Sequence, residues 1–392
     1  MANGLTFKWH DDAQVFVRDQ PVDPNTSAPI GTLLAAIRDG LEFRVAPDAI
    51  TALPTQGSGA YFECMTSGTT GNPKAIRRSH ASWIHSFEAN RARFALSSTD
   101  SYAVFGQLAH SLALYAVLEA AHIGANIHLL ADMRPDRQAQ SLGRNAVSVL
   151  YATPTQLRAL CGSEPLPAVR HILCGGGQLA PQMRPQIKAL CPNATLSEFY
   201  GASETSFITM SDSDTPAGSV GQAYDSVELS IRDTDQTSGV GEVWVKSPYL
   251  FDSYAIGDSA ETRSQDGFVT VGELGALDKA GNLFLKGRKS RMVTIADQNV
   301  FLDEVEALLL SDPGVTHCAV LPRPDEIRGS VLWAVIGGPP DDVLKNRLTA
   351  LCRQNLGTLT APRKILFMND LPALPAGKPD IVKIAKWLEA QE

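Results

Sequence analysis

The chain has 392 residues, with 44% hydrophobic and 19% charged residues, enough for two or three folded domains of ordinary globular composition. Lys+Arg 34 against Asp+Glu 42 leaves a net charge of -8, which argues against nucleic acid as a partner. No stretch approaches the roughly 18–20 unbroken apolar residues of a membrane span, and the start MANGLTFKWHDDAQ lacks the pattern of a signal peptide. The six cysteines are widely spaced with no C-x-x-C pair, so reduced thiols in a cytoplasmic protein are expected rather than zinc or disulfides.

In chain order, residues 1–60 read as a polar start, one helix (Ile30–Leu41) and a Pro/Gly/Thr/Ser-rich connector. The helix rests on Ile30, Leu33, Leu34 and Ile37, which share a face at helical spacing. From Tyr61 apolar strands alternate with helical patterns, including His80–Phe94 behind a capping Ser79. This alternation predicts helices packed on a mainly parallel sheet. Beyond Pro216 short alternating runs with glycine turns predict an antiparallel β section. From about Ser290 mixed helix and strand resume over a segment long enough for a small domain. The expected fold class is therefore α/β: a large domain over 1–289 with mixed sheets, flanking helices and a β section, and a small α+β domain over 290–392.

The most informative string is Thr66-Ser67-Gly68-Thr69-Thr70-Gly71-Asn72-Pro73-Lys74. Glycines let backbone N–H groups turn inward around an anion, hydroxyls add neutral donors, and Lys74 adds charge. Asn72-Pro73 ahead of the lysine exclude a Walker A motif. A Ser/Thr/Gly surface loop is the plain alternative. Phe199-Tyr200-Gly201-Ala202-Ser203-Glu204 ends in a carboxylate that, taken alone, reads as a helix cap or a solvated acid. Gly175-Gly176-Gly177 follow the strand-like RHILC and would let a ligand lie against backbone.

Taken in order, these strings resemble the AMP-forming adenylating enzymes: acyl-CoA synthetases, peptide-synthetase adenylation domains and firefly luciferase. The resemblance covers about residues 60–392 and implies adenylation of a carboxylic acid by ATP, followed by transfer to the thiol of CoA or of a carrier protein's phosphopantetheine. It implies that Thr66, Ser67, Gly68, Thr69, Thr70, Gly71 and Lys74 cradle phosphates, with Glu204, joined by Thr66, as metal ligand. Gly175, Gly176, Phe199, Tyr200, Gly201 and Ser203 would surround the nucleotide. Glu273 and Arg288 would grip the ribose, with Glu273 standing where relatives have Asp. His110, Ser111, Gly177 and Phe207 would line the acyl pocket, together with Tyr115. Ser111 stands where amino-acid-activating relatives carry an aspartate, so an aromatic or aliphatic acid is expected rather than an α-amino acid. Lys378, in a Gly377-Lys378 segment, matches the family's catalytic lysine. A mobile ammonium there would offset the repulsion between two anionic reactants.

Departures from the family pattern carry further expectations. Relatives usually have a longer segment ahead of the phosphate loop, implying a shortened N-terminal part whose exposed face a homodimer would cover. Ser290 replaces the hinge Asp or Lys, and Ala296-Asp297 replace two glycines beside the thiol tunnel. Ala296-Asp297 favour, as an alternative, an enzyme that stops at the adenylate or passes it to an amine or to water; a nucleotide-binding relative without turnover, left after loss of the N-terminal part, is the other. Between Lys345 and Lys386 eight basic residues face two acids, which suggests a docking surface for CoA or an acidic carrier; a solvated helical face is the other reading.

Overall fold

The computed structural model describes residues 5–54, 60–66, 74–177, 179–296, 298–374 and 379–391. The sequence motifs at Ser67, Gly68, Thr69, Thr70, Gly71 and Lys378, like Asp297, lie outside the described residues.

A nine-stranded sheet forms the frame of the larger region. Its middle strands, Thr195–Ala202, His171–Cys174, Val149–Ala152, Ser101–Val104, Asn126–Leu129 and Val15–Val17, are successively parallel. Antiparallel strands close both edges. Side chains alternate between the faces, as a pleated strand buried on both sides requires. Tyr102, Val104, Val149, Tyr151 and Leu173 join a core with Phe87, Leu114 and Leu118 from the helices His80–Phe94 and Ser111–Ile123. Ala103, Leu150, Ala152, Ile172 and Cys174 pack on the other face against Leu142, Leu157, Ile187 and Leu190. The expected mainly parallel sheet with packed helices is present.

A second sheet has five strands in the order Ser253–Ile256, Lys74–Ser79, Tyr61–Thr66, Glu42–Val45, Ile50–Leu53. Here the reading of residues 1–60 needs correction. Beyond the helix Ile30–Arg38 this region contributes four strands, Val15–Val17 and Gln20–Val22 to the first sheet and Glu42–Val45 and Ile50–Leu53 to the second. Glu42–Val45 is buried although it contains charge, because Arg77 makes a bidentate pair with Glu42 (2.9 and 3.0 Å) and Arg44 meets Glu63 at 2.6 Å. The helix at His80 starts where expected, with the Ser79 hydroxyl accepting the Ser82 N–H at 3.2 Å.

The expected β section forms a six-stranded sheet whose pairs are antiparallel, from Glu228–Arg232 to Leu283–Arg288. A separate core follows it, built by Val305, Leu309, Leu332, Ala334, Ile336, Leu348 and Cys352 around the three-stranded sheet of Cys318–Asp325, Gly329–Gly337 and Lys364–Met368. This C-terminal region rests on the larger one through Arg158 Nη1 to the Thr316 carbonyl (2.7 Å) and Gln182 Nε2 to the Leu310 carbonyl (3.1 Å). No described helix is long and apolar enough to cross a membrane.

Candidate active site

The phosphate-loop string begins and ends on a hairpin: Thr66 closes the strand Tyr61–Thr66, Lys74 opens the strand Lys74–Ser79, and the two residues pair in register. Lys74 Nζ lies 5.6 Å from the centre of the Tyr254 ring, which the strand Ser253–Ile256 brings alongside. The Tyr254 hydroxyl donates to Glu204 Oε1 at 2.7 Å and meets the Thr262 hydroxyl at 2.8 Å. Burial and the Glu204 charge push this phenol well above its ordinary value.

Glu204 lies in the short turn between the strands Thr195–Ala202 and Ser206–Ser211, and its carbonyl accepts the Phe251 amide at 2.8 Å. The strands cross closely at Gly201, where a Cβ would fall 1.9 Å from the Ser206 carbonyl oxygen, so no larger residue fits. Glu204 is half-buried, and its described hydrogen bond engages one carboxylate oxygen, which leaves acceptor capacity for a hard cation.

Alternation along Thr195–Ala202 sends neighbouring aromatics to opposite sides. Tyr200 packs with Ile208, Val243, Val245 and Leu283. Its hydroxyl is buried beside the Glu273 carboxylate, and burial and that carboxylate raise it well above its usual range. Glu273 stands directly across from Arg288 in the strand pair and meets it at 3.3 Å. Burial works against the Arg288 cation, but Glu273, Glu261 and Glu204 outweigh it and hold the group above its normal value. The metal and ribose candidates, Glu204 and Glu273, therefore act on one arginine.

Phe199 turns the other way, onto the glycine turn: a Cβ at Gly175 would lie 2.2 Å from Phe199 Cζ. Its ring meets Phe207 edge-on at 4.7 Å, and Phe207 meets Tyr115 edge-on at 5.2 Å. Gly176 adopts φ +82°, with the Thr153 methyl 3.6 Å from where its Cβ would be; Gly177 would face Pro154 at 3.8 Å. Ser111 opens the helix Ser111–Ile123, and its hydroxyl lies 3.3 Å from Ser203 Oγ and 3.9 Å from Cys64 Sγ. His110 caps that helix from an extended conformation, and partial burial lowers its imidazole. The structure thus gathers Ser111, Ser203, Phe199, Phe207 and Gly175 on one side of the Glu204 turn and Tyr200, Glu273 and Arg288 on the other. Two surface clefts, of about 630 and 510 Å³, are lined by Phe7, Trp9 and Arg38 and by Arg158, Cys161 and Leu190, away from these residues.

Tyr115 departs from its expected pocket role. Its hydroxyl belongs to a buried network, donating to Ser86 Oγ at 2.8 Å beside Asn90 and Glu119. Four of the eight basic residues near the C-terminus have described partners. Arg347 forks onto Asp312 (2.6 and 2.7 Å), Arg363 meets Asp325 (2.6 Å), Lys383 meets Asp380 (3.2 Å), and Lys364 lies 4.0 Å from the Trp333 ring centre. Tyr254 and Arg78, a fully buried guanidinium on the strand that Lys74 opens, touch Glu204 or its turn and belong to none of the sequence motifs. Strand pairing, invisible in one local string, brings them in.

Between the two regions, Gly287 holds φ +131° against Asp303, whose carboxylate accepts the Arg288 amide (3.1 Å) and Arg291 Nη1 (2.5 Å). Ser290 lies between these two contacts in the short 3₁₀ turn Lys289–Arg291. Ala296 takes φ 46°, a left-handed backbone, and its side chain is exposed.

The sequence matches a known family. Residues 16–255 match the model of the AMP-binding enzyme and residues 304–378 that of the AMP-binding enzyme C-terminal domain. The chain belongs to this superfamily of adenylate-forming enzymes and is acyl-CoA ligase-like. It is 34% identical over 337 residues to the uncharacterized acyl-CoA ligase YhfT of Bacillus subtilis, covering 84% of this chain and 69% of that one. A long-chain-fatty-acid–CoA ligase of Mycobacterium tuberculosis is 26% identical over 83% of this chain and 67% of its own length. Across such relatives the chain spans between 58% and 69% of their length. Among solved structures, the amide bond synthetase McbA of Marinactinospora thermotolerans superposes with a TM-score of 0.73 at 26% identity, over 86% of this chain and 71% of that one. The o-succinylbenzoate CoA synthetase of Bacillus subtilis, in complex with ATP and magnesium ion, gives 0.72 at 26% identity, over 86% and 71%.

Proposed function

We propose that the chain is an AMP-forming carboxylate–thiol ligase. A substrate carboxylate oxygen attacks the α-phosphorus of ATP, the bond from that phosphorus to the bridging oxygen breaks, and pyrophosphate leaves. The thiol sulfur of CoA or of a carrier-protein phosphopantetheine then attacks the acyl carbon, AMP departs and the thiol proton passes to solvent. In this reading the loop from Thr66 to Gly71, with Lys74, holds the β- and γ-phosphates, Tyr200 meets the adenine, and Glu273 and Arg288 hold the ribose. Mg²⁺, when bound on Glu204, would neutralise phosphate charge; the half-open carboxylate fits that task. The boundary near residue 289 divides an ATP and acyl domain from a small domain carrying Lys378.

The observation that carries the proposal is the convergence on Glu204: Tyr254 joins it to the strand that starts at Lys74, and Arg288 feels both Glu204 and Glu273. Around Ser111 the described polar contacts are Cys64 and Ser203, with no carboxylate to receive an ammonium, which supports a plain acid over an α-amino acid. Replacing Lys378 by Ala is expected to lower pyrophosphate release by about 100-fold or more, because an ammonium acting on two anions works mainly in the transition state. Wild-type release from that variant overturns the reading.

The likeness to an amide bond synthetase favours one second reading, transfer of the acyl group to an amine. Mass spectrometry of products formed with CoA alone and with an amine alone separates the two.

A further inference from the structure

Arg78 is a buried cation that the chemistry above leaves unused. It lies on the strand Lys74–Ser79 and is 0% exposed. Nη1 donates to the Ser203 carbonyl at 2.6 Å; Nη2 donates to Ser206 Oγ at 2.5 Å and to the Tyr249 carbonyl. Among the described residues Nε has no hydrogen-bond partner, and the carboxylate whose charge acts on the group, Glu204, makes no direct ion pair with it. Burial lowers the guanidinium to about 10, so it stays charged at neutral pH. A buried, unpaired charge is unfavourable, and an apolar side chain of similar length would fill the strand position without that penalty.

What the guanidinium holds gives it a purpose. Ser203 and Ser206 bracket Glu204. Ser206 sits at φ 56°, a left-handed backbone unfavourable for a residue with a Cβ, and its hydroxyl also accepts Trp83 Nε1 at 3.1 Å. Tyr249 opens the segment that supplies the Phe251 amide to the Glu204 carbonyl and the Tyr254 hydroxyl to Glu204 Oε1. Both the turn that carries Glu204 and the segment that touches it are therefore tied to one side chain.

We propose that Arg78 is a positioning residue for the metal carboxylate, bracing the Glu204 turn and the Tyr249–Tyr254 segment against the strand that leaves the phosphate loop. The proposal rests on reading Glu204 as the Mg²⁺ ligand. Its test uses R78M, R78K and the milder S206A. Two measurements are made: hydrogen exchange over residues 202–206 and 249–254, and Mg²⁺ titration of pyrophosphate release at saturating ATP and acid. R78M is expected to raise the Mg²⁺ half-saturation by about tenfold, with faster exchange confined to those two segments. R78K recovers part of the loss, and S206A moves both readouts the same way by about threefold. A folded R78M with wild-type half-saturation and wild-type exchange overturns the proposal. Should R78M fail to fold, the same wild-type result in S206A overturns it. If the wild-type enzyme releases no pyrophosphate, the proposed activity fails, and exchange in the two segments alone decides the role of Arg78.

Discussion

Two partly or fully buried carboxylates of the larger region are treated in opposite ways. Glu204 sits half-buried in a turn with one oxygen engaged by Tyr254. Glu119, in the middle of the helix Ser111–Ile123, is fully buried and ringed by donors: Asn90 (2.8 Å) donates to one oxygen, Tyr151 (2.6 Å) and Tyr102 (3.1 Å) to the other. The first is stable while leaving lone pairs for a ligand; the second spends its own on the fold. Acidity alone does not mark a functional carboxylate. Unspent acceptor capacity is what the metal role proposed for Glu204 requires.

The strongest way to break this contrast is Glu204→Gln. It should lower pyrophosphate release by about 100-fold while leaving the urea midpoint nearly unchanged, because the amide still accepts from Tyr254 but binds a hard cation poorly. An equal loss of stability would place Glu204 with Glu119 as a structural acid.

Glu119→Gln should do the reverse. Desolvation outweighs the donated hydrogen bonds and raises Glu119 from 4.5 to about 7, so the folded state takes up a proton that the unfolded chain releases. Its contribution to stability is full below about pH 4.5 and is lost as pH rises through 7, a difference of roughly 3 kcal/mol. Buried His80, lowered to about 4, works in the opposite direction, its contribution falling away as pH drops from 6.5 through 4. The wild-type minus variant difference isolates the glutamate. Urea unfolding at pH 5 and pH 8 should show that difference shrinking in Glu119→Gln; equal pH slopes would remove the network from the titration.

Tyr254→Phe sharpens the comparison from the other side. Losing one hydrogen bond to Glu204 should raise the Mg²⁺ half-saturation by about three- to tenfold with a smaller change in kcat. Smallest is Asp303→Asn: it weakens the clasp on Arg288 and Arg291, and should accelerate hydrogen exchange in residues 286–292 by about threefold while changing adenylate formation less.

The readable elements were those whose signals are local. The helix at His80 has its cap one residue before it, and Glu204 sits inside a contiguous motif. The strand Lys74–Ser79 was not legible, because Lys-Ala-Ile-Arg-Arg-Ser looks solvated until Glu42 arrives to pair with Arg77 and the Ser203 turn to receive Arg78. The three-residue strand Val15–Val17 is too short to announce itself, and its neighbour Asn126–Leu129 lies more than a hundred residues further on. Around Glu204 the contacts between segments were not legible: Tyr254 enters by pairing with Ile76, a relation no single segment contains.

The contact between Phe199 and Gly175 has a thermodynamic consequence. A benzyl ring already rests on the bare backbone where the proposed acyl group would lie. Entry of a substrate is then an exchange of one oily tenant for another, and little net apolar area leaves water. Discrimination among acids would follow from how well each shape replaces that ring, more than from how greasy it is.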